Sequence, residues 1–180
     1  MENNGRDNNI TTRVTYVLFI IYLVILFWIL LFKLGVHFSN MGKLSSINLI
    51  PFSKPSRANG KIDISEMILN VIIFVPLGIY VGILFKRWIF VKKLLLIFSI
   101  SLIIEVLQFI FRLGVADITD IITNTLGGIS GLMIFMAIEK LFKNSANAHK
   151  FINIFSAIGT ILIILFLILL KTNNPWIRYR

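Results

Sequence analysis

Long apolar runs constrain this chain more than any other feature. A helix needs about 20 apolar residues to cross a hydrocarbon core roughly 30 Å thick. Val14 to Phe32, Met67 to Phe85, Ile118 to Ile138 and Phe151 to Leu170 meet or nearly meet that length. Leu94 to Phe111 is equally apolar except for Glu105 and Gln108, and reads as a further spanning helix with a polar face. The fold class expected is all-α: a polytopic transmembrane helix bundle of about five spanning helices. It occupies residues 14–170, between a polar, frayed tail at 1–13 and a C-terminal tail at 171–180. The first run is too long for the apolar core of a signal peptide, and no small-residue cleavage pattern follows Phe32-Lys33-Leu34. Residues 33–66 read as the one long loop, broken by Pro51, Pro55 and Gly60, and residues 112–117 as a tight turn around Gly114.

Charge narrows the function classes. Lys and Arg number 18 against 8 Asp and Glu, a formal net charge of +10, in a chain 57% apolar and 14% charged. Strong basicity raises nucleic acid as a partner, but such a binder needs a wettable basic face that so apolar a chain lacks. Cationic loops flanking membrane spans explain the charge, with membrane lipids as the partner and no nucleic acid. Cysteine is absent, which excludes disulfides, thiolate metal sites and thiol nucleophiles. The two histidines, His37 and His149, are far apart in sequence. No metal site and no cofactor is expected. No HExxH, Ser/His/Asp set or phosphate-binding glycine loop occurs either.

Lys and Arg tie at nine on each side of the membrane. Density separates the sides, because four of them fall within residues 86–93, against five spread over residues 33–66. The short dense loops read as cytoplasmic, which puts the N-terminus inside.

The acids are scarcer and more informative. Alternating helices bring the start of the second, the end of the third and the start of the fourth to one side. Asp63, Glu66 and Asn70 open the second helix; Glu105, Gln108 and Arg112 close the third; Asp117, Asp120 and Asn124 open the fourth. Ser101, Glu105, Gln108 and Arg112 form one helical stripe, and Asp117, Asp120 and Asn124 another. By helical rise, Glu105 lies roughly 10–14 Å inside the end of its helix, at a depth that Asn70 and Asn124 also reach. Three polar stripes can thus face a shared interior.

Structural explanations compete at most of these positions. Asp63-x-x-Glu66 resembles a capping box and Asp117-x-x-Asp120 a looser one. Asn70 and Asn124 also suit interhelical hydrogen bonding, and Gly127, Gly128 and Gly131 close helix packing. Pro76 suits a kink in the second helix. Glu105 fits none of these, since it lies in an apolar span near a helix C-terminus, where the dipole disfavours it. An ionisable group at such depth marks function by default. Arg112, Asn70 or Asn124 would compensate it, or it is protonated. The carboxylates could alternatively hold Mg²⁺ for work on a lipid or cell-wall-precursor head group, or carry protons in a transporter.

Ile47-Asn48-Leu49-Ile50-Pro51-Phe52, Glu66-Met67-Ile68-Leu69-Asn70 and Phe74-Val75-Pro76-Leu77-Gly78 resemble the VanZ-like membrane protein family. So do Glu105-x-x-Gln108, Asp117-x-x-Asp120, Asn124 and the glycines at 127, 128 and 131. Leu31-Phe32-Lys33-Leu34 and the run Ala116 to Thr125 bring the chain close to the family's teicoplanin-resistance member. Leu113-Gly114-Val115 departs from the arginine that many members carry just before the first Asp. The resemblance implies a small multi-pass protein of the bacterial plasma membrane. It also implies low-level resistance to teicoplanin, a glycopeptide bearing a fatty acyl chain, with no assigned enzyme activity. Teicoplanin or a lipid-linked cell-wall precursor is the partner it implies. The polar cluster expected to serve this function is Glu66, Asn70, Glu105, Gln108, Arg112, Asp117, Asp120 and Asn124.

Overall fold

The computed structural model describes residues 2–31, 47–52, 64–113, 116–142, 151–155 and 158–159. Four long helices carry the fold: α1 (Glu2–Leu31), α2 (Ile64–Leu84), α3 (Phe90–Ile110) and α4 (Ile118–Phe142). Each contains an apolar stretch long enough to cross a membrane, Thr12–Leu31 in α1 and the whole of the other three. The fifth expected span, 151–170, lies largely outside the described residues, although 151–155 are helical. Helix α1 begins at Glu2, so the segment read as a frayed tail is helical from residue 2 onward. Once the apolar span has nucleated a helix, each added residue costs little, and weak helix formers such as Asn and Thr can extend it.

The solvent-facing logic of a water-soluble protein is inverted. Ile20, Val24, Ile72 and Met133 are all more than half exposed, a surface that suits hydrocarbon and not water. The interior is a core from all four helices, including Leu26 and Leu30 of α1, Phe74, Leu77 and Tyr80 of α2, Ile97 and Ile104 of α3, and Leu132 of α4.

The closest contact is between α2 and α4, and glycine makes it possible. A methyl group at Gly78 would strike the Gly128 carbonyl; at Gly127, the Val71 carbonyl; at Gly131, the Val75 carbonyl. Small residues let two backbones touch in a medium where no hydrophobic effect drives helices together. The packing expected of Gly127 and Gly131 is therefore present, with Gly78 as a third member on the facing helix. Pro76 sits inside α2 and cannot donate to the Ile72 carbonyl. One residue along, the Ile73 carbonyl accepts a 2.7 Å hydrogen bond from Tyr22 Oη of α1.

At one end of the bundle, Lys86 after α2 forms a 2.7 Å ion pair with Glu139 of α4. Thr15 Oγ1 of α1 donates to Asn153 Oδ1 at 2.8 Å, tying the helical segment 151–155 beside α1. The opposite end carries two features that the sequence reading lacks. Within the long loop, β1 (Ile47–Asn48) pairs in parallel with β2 (Ala116–Asp117), which lies in the supposed tight turn. The register sets Ile47 against Ala116 and Asn48 against Asp117. Helix α3 also stops earlier than its apolar pattern suggests. Arg112 N–H donates to the Phe109 carbonyl (3.1 Å) and Leu113 N–H to the Gln108 carbonyl (2.9 Å). With Arg112 at φ 52°, this is a Schellman-type helix end. It places Glu105 five residues before Ile110, about 7–8 Å from the helix end by helical rise, shallower than sequence spacing alone indicates.

Arg112 occupies a left-handed position that glycine fills without strain, and a non-glycine residue there costs about 1–2 kcal/mol. Arg112→Gly is therefore expected to raise the thermal midpoint of the purified protein by a few degrees. A lowered midpoint would show that the guanidinium contributes more than its backbone strain removes.

Candidate functional site

The polar residues gather where β1–β2 meets the ends of α2, α3 and α4, in layers. Outermost is a strap. Asn48 Nδ2 donates to Asp117 Oδ2 at 3.0 Å, and the Phe52 N–H donates to Thr119 Oγ1 at 3.0 Å. Phe52 adopts a left-handed φ of 57°, while Ile50 N–H donates to Asn48 Oδ1 at 3.2 Å within the strap itself. Residues 47–52 are thereby pinned over the start of α4.

The start of α4 explains the next layer. Four N–H groups at a helix N-terminus lack intrahelical acceptors. Asp117 is the N-cap, its Oδ1 accepting from Thr119 N–H at 2.8 Å, a cap of the kind anticipated from Asp117-x-x-Asp120. Glu105 Oε2 of α3 accepts the N–H of Asp117 itself at 3.0 Å. The carboxylate without a local structural explanation in the sequence is thus directed at the positive end of the next helix. Its identified donor is a backbone amide, and the side chains of Asn70 and Asn124 are engaged elsewhere.

Asn70 Nδ2 of α2 donates to Asp120 Oδ1 of α4 at 2.8 Å, with both residues buried. One turn further along α4, Asn124 Nδ2 donates to Ser101 Oγ of α3 at 3.0 Å, again buried. Both asparagines therefore make the interhelical bonds that the sequence allowed as an alternative role. Gln108 is turned toward α1, where its Nε2 donates to the Leu30 carbonyl at 2.7 Å. That carbonyl belongs to the last turn of α1 and has no intrahelical donor.

Of the eight cluster residues anticipated, five are buried: Asn70, Glu105, Gln108, Asp120 and Asn124. Glu66 and Asp117 are half-buried, and Arg112 is exposed at the end of α3. Asp63 lies outside the described residues. Sequence reasoning missed Asn48, Thr119 and Thr123. Thr123 is buried and its Oγ1 donates to the Thr119 carbonyl at 3.0 Å. The signal for Thr119 was present, since an N-cap Asp bonds the N–H two residues on. No local pattern points to Asn48, whose partner is 69 residues away.

Two buried oxygens in this region accept no hydrogen bond from the described residues, Gln108 Oε1 and Asn124 Oδ1. Among the described residues, no three of His, Cys, Asp and Glu are grouped to hold a metal ion. The arrangement is a buried constellation of carboxylates and amides at one end of an apolar bundle, partly occupied in closing helix ends and partly left with acceptors to spare.

Comparison with known proteins agrees with the sequence motifs. A family model for VanZ/LLP1 matches residues 19–143, which include all eight cluster positions and the strap. Protein VanZ of Enterococcus faecium is 38% identical over 150 residues, covering 82% of this chain and 87% of that protein. No solved structure matches. The chain is a multi-pass membrane protein that belongs to the VanZ/LLP1 family.

Proposed function

We propose that this protein confers low-level resistance to the lipoglycopeptide teicoplanin from the bacterial cell membrane. In this reading the N-terminus is cytoplasmic, so the polar cluster lies at the outer leaflet. There it engages a polar head group, a lipid-linked cell-wall precursor or the drug itself, and lowers the amount of drug that accumulates near its target.

One observation carries the proposal. Five polar side chains, two of them carboxylates, are buried together among the ends of α2, α3 and α4 in an otherwise apolar bundle. An ionisable group buried in an apolar bundle is costly to leave uncompensated, and such groups ordinarily serve function. Membership of the VanZ/LLP1 family supports the biological context. The dense basic segment at residues 86–93, which runs into the first turn of α3 and exposes Arg87 and Lys92 at the far end of the bundle, supports the orientation.

Asp120→Asn and Asn124→Ala, expressed to the level of the parent protein, are expected to return teicoplanin susceptibility to that of cells lacking the gene. Resistance unchanged in both would overturn the role of the cluster. The orientation is tested separately in a chain free of native cysteine. Ser56→Cys is expected to react with an impermeant thiol reagent in intact cells and Ser145→Cys is not; the reverse pattern would place the cluster on the inner face.

A further inference from the structure

The leftover acceptors indicate what kind of ligand the cluster takes. Gln108 and Asn124 are each 1% exposed, and Gln108 Oε1 and Asn124 Oδ1 accept no hydrogen bond from the described residues. For Gln108 the amide orientation is fixed by chemistry. The Leu30 carbonyl can only accept, so the nitrogen must face it and the oxygen must face away. Asn124 presents its nitrogen to Ser101 and leaves its oxygen over. Gln108 follows Glu105 by three residues on α3, and Asn124 follows Asp120 by four on α4, so each leftover oxygen shares a helix face with a buried carboxylate.

Two neutral acceptors thus remain in the cluster, beside two carboxylates that carry negative charge when ionised. A buried acceptor surplus is costly until a donor meets it. The complement is a compact positive group with several N–H donors and no acceptor, which describes a primary ammonium. A metal ion fits less well, since no three metal-binding side chains are grouped among the described residues. A guanidinium is a wide planar fork, whereas these acceptors are packed among helix backbones and suit a point-like cation.

We propose that the cluster binds the primary ammonium of an amine-bearing amphiphile. Glu105 and Asp120 supply the charge, and Gln108 Oε1 and Asn124 Oδ1 supply neutral acceptors. The ammonium enters from the side where Glu66 and Asp117 are half-buried. This deepens the surface-binding reading above and rests on it. The amine belongs either to a lipid head group or to the lipoglycopeptide.

The test compares two soluble probes of equal charge, octylammonium and octyltrimethylammonium, of which only the first has N–H donors. Titration calorimetry on the purified full-length protein in detergent is expected to show octylammonium binding at least tenfold more tightly. Glu105→Gln and Gln108→Met should each erase most of that difference, in variants that remain monodisperse with an unchanged helical signal. If neither variant folds, the wild-type comparison of the two probes decides alone. Equal affinity for the probes would overturn the proposal. Preference for short-chain phosphatidylethanolamine over phosphatidylcholine identifies a lipid amine; preference for teicoplanin over its N-acetylated form identifies the drug. No preference in either arm overturns the amphiphile. Equal probe affinities together with lost resistance in Asp120→Asn would remove the ammonium and leave the surface-binding reading standing. A clear ammonium preference with resistance intact would do the opposite.

Discussion

Gly131→Ala lowers the thermal midpoint of the purified protein by roughly 2–12 °C, and Gly131→Leu prevents its stable accumulation in the membrane. These are the expected results of placing a side chain where two helix backbones touch. A methyl group at Gly131 meets the Val75 carbonyl and comes within 3.0 Å of Gly78 Cα. Neither neighbour is a flexible side chain that can swing aside, so α2 and α4 must separate. Overpacking a well-fitted core costs about 1–3 kcal/mol, and for a protein of this length each kcal/mol is worth about 2–4 °C. A leucine adds three more carbons against the same obstacle. Separation would also disturb the site, because the Asn70–Asp120 bond spans the same two helices. Gly159→Ala is the control, since among the described residues nothing lies within 4 Å of a methyl group there, and it should hold the midpoint or raise it slightly, alanine being the better helix former. An unchanged midpoint in Gly131→Ala would mean that α2 and α4 are not in backbone contact.

The second large effect divides the two roles of Glu105. Its Oε2 accepts the Asp117 N–H at the entrance to α4. Leucine at this position removes the acceptor and leaves a buried backbone donor unmet, at a cost of about 1–3 kcal/mol. Glutamine keeps an acceptor oxygen and nearly the same shape while removing the ability to ionise. Glu105→Leu is thus expected to unfold earlier on heating and to accumulate poorly. Glu105→Gln should stay close to the parent in stability while losing resistance. Thermal unfolding followed by circular dichroism, beside susceptibility measured at matched protein levels, checks both halves. If the two variants lose stability equally, the residue matters through its charge in the folded state and not through the amide it caps.

The membrane helices were legible because a span of 20 apolar residues is a signal of length and needs no tertiary information. The α2–α4 packing was legible from both helices: Gly127 and Gly131 lie at small-residue spacing on α4, and Gly78 and Gly82 repeat it on the facing helix, although only the α4 pair was read as packing. The cluster was legible as a set of helix-end acids, since alternating topology alone brings Glu105, Asp120 and Asn70 to one side. Its wiring was not. Glu105 accepts the main-chain N–H of Asp117, a donor whose position depends on where α4 begins. Arg112 looked like the next member of the α3 stripe. The helix ends before it, in a turn that places it left-handed and exposed. The β1–β2 pair escaped because two-residue strands have no periodicity to read. The bond from Asn48 to Asp117 joins segments that only the finished bundle makes neighbours.

The central claim is that the buried cluster acts on the drug at the cell surface and does more than close helix ends. Glu105→Gln tests it most directly, because that substitution spares the cap. Cells carrying the parent protein, the variant at equal abundance, or no gene are exposed to fluorescently labelled teicoplanin, and the cell-bound drug is measured. The account predicts that binding is low with the parent and rises in Glu105→Gln to the level of cells without the gene. Binding that stays as low in Glu105→Gln as in the parent would contradict it.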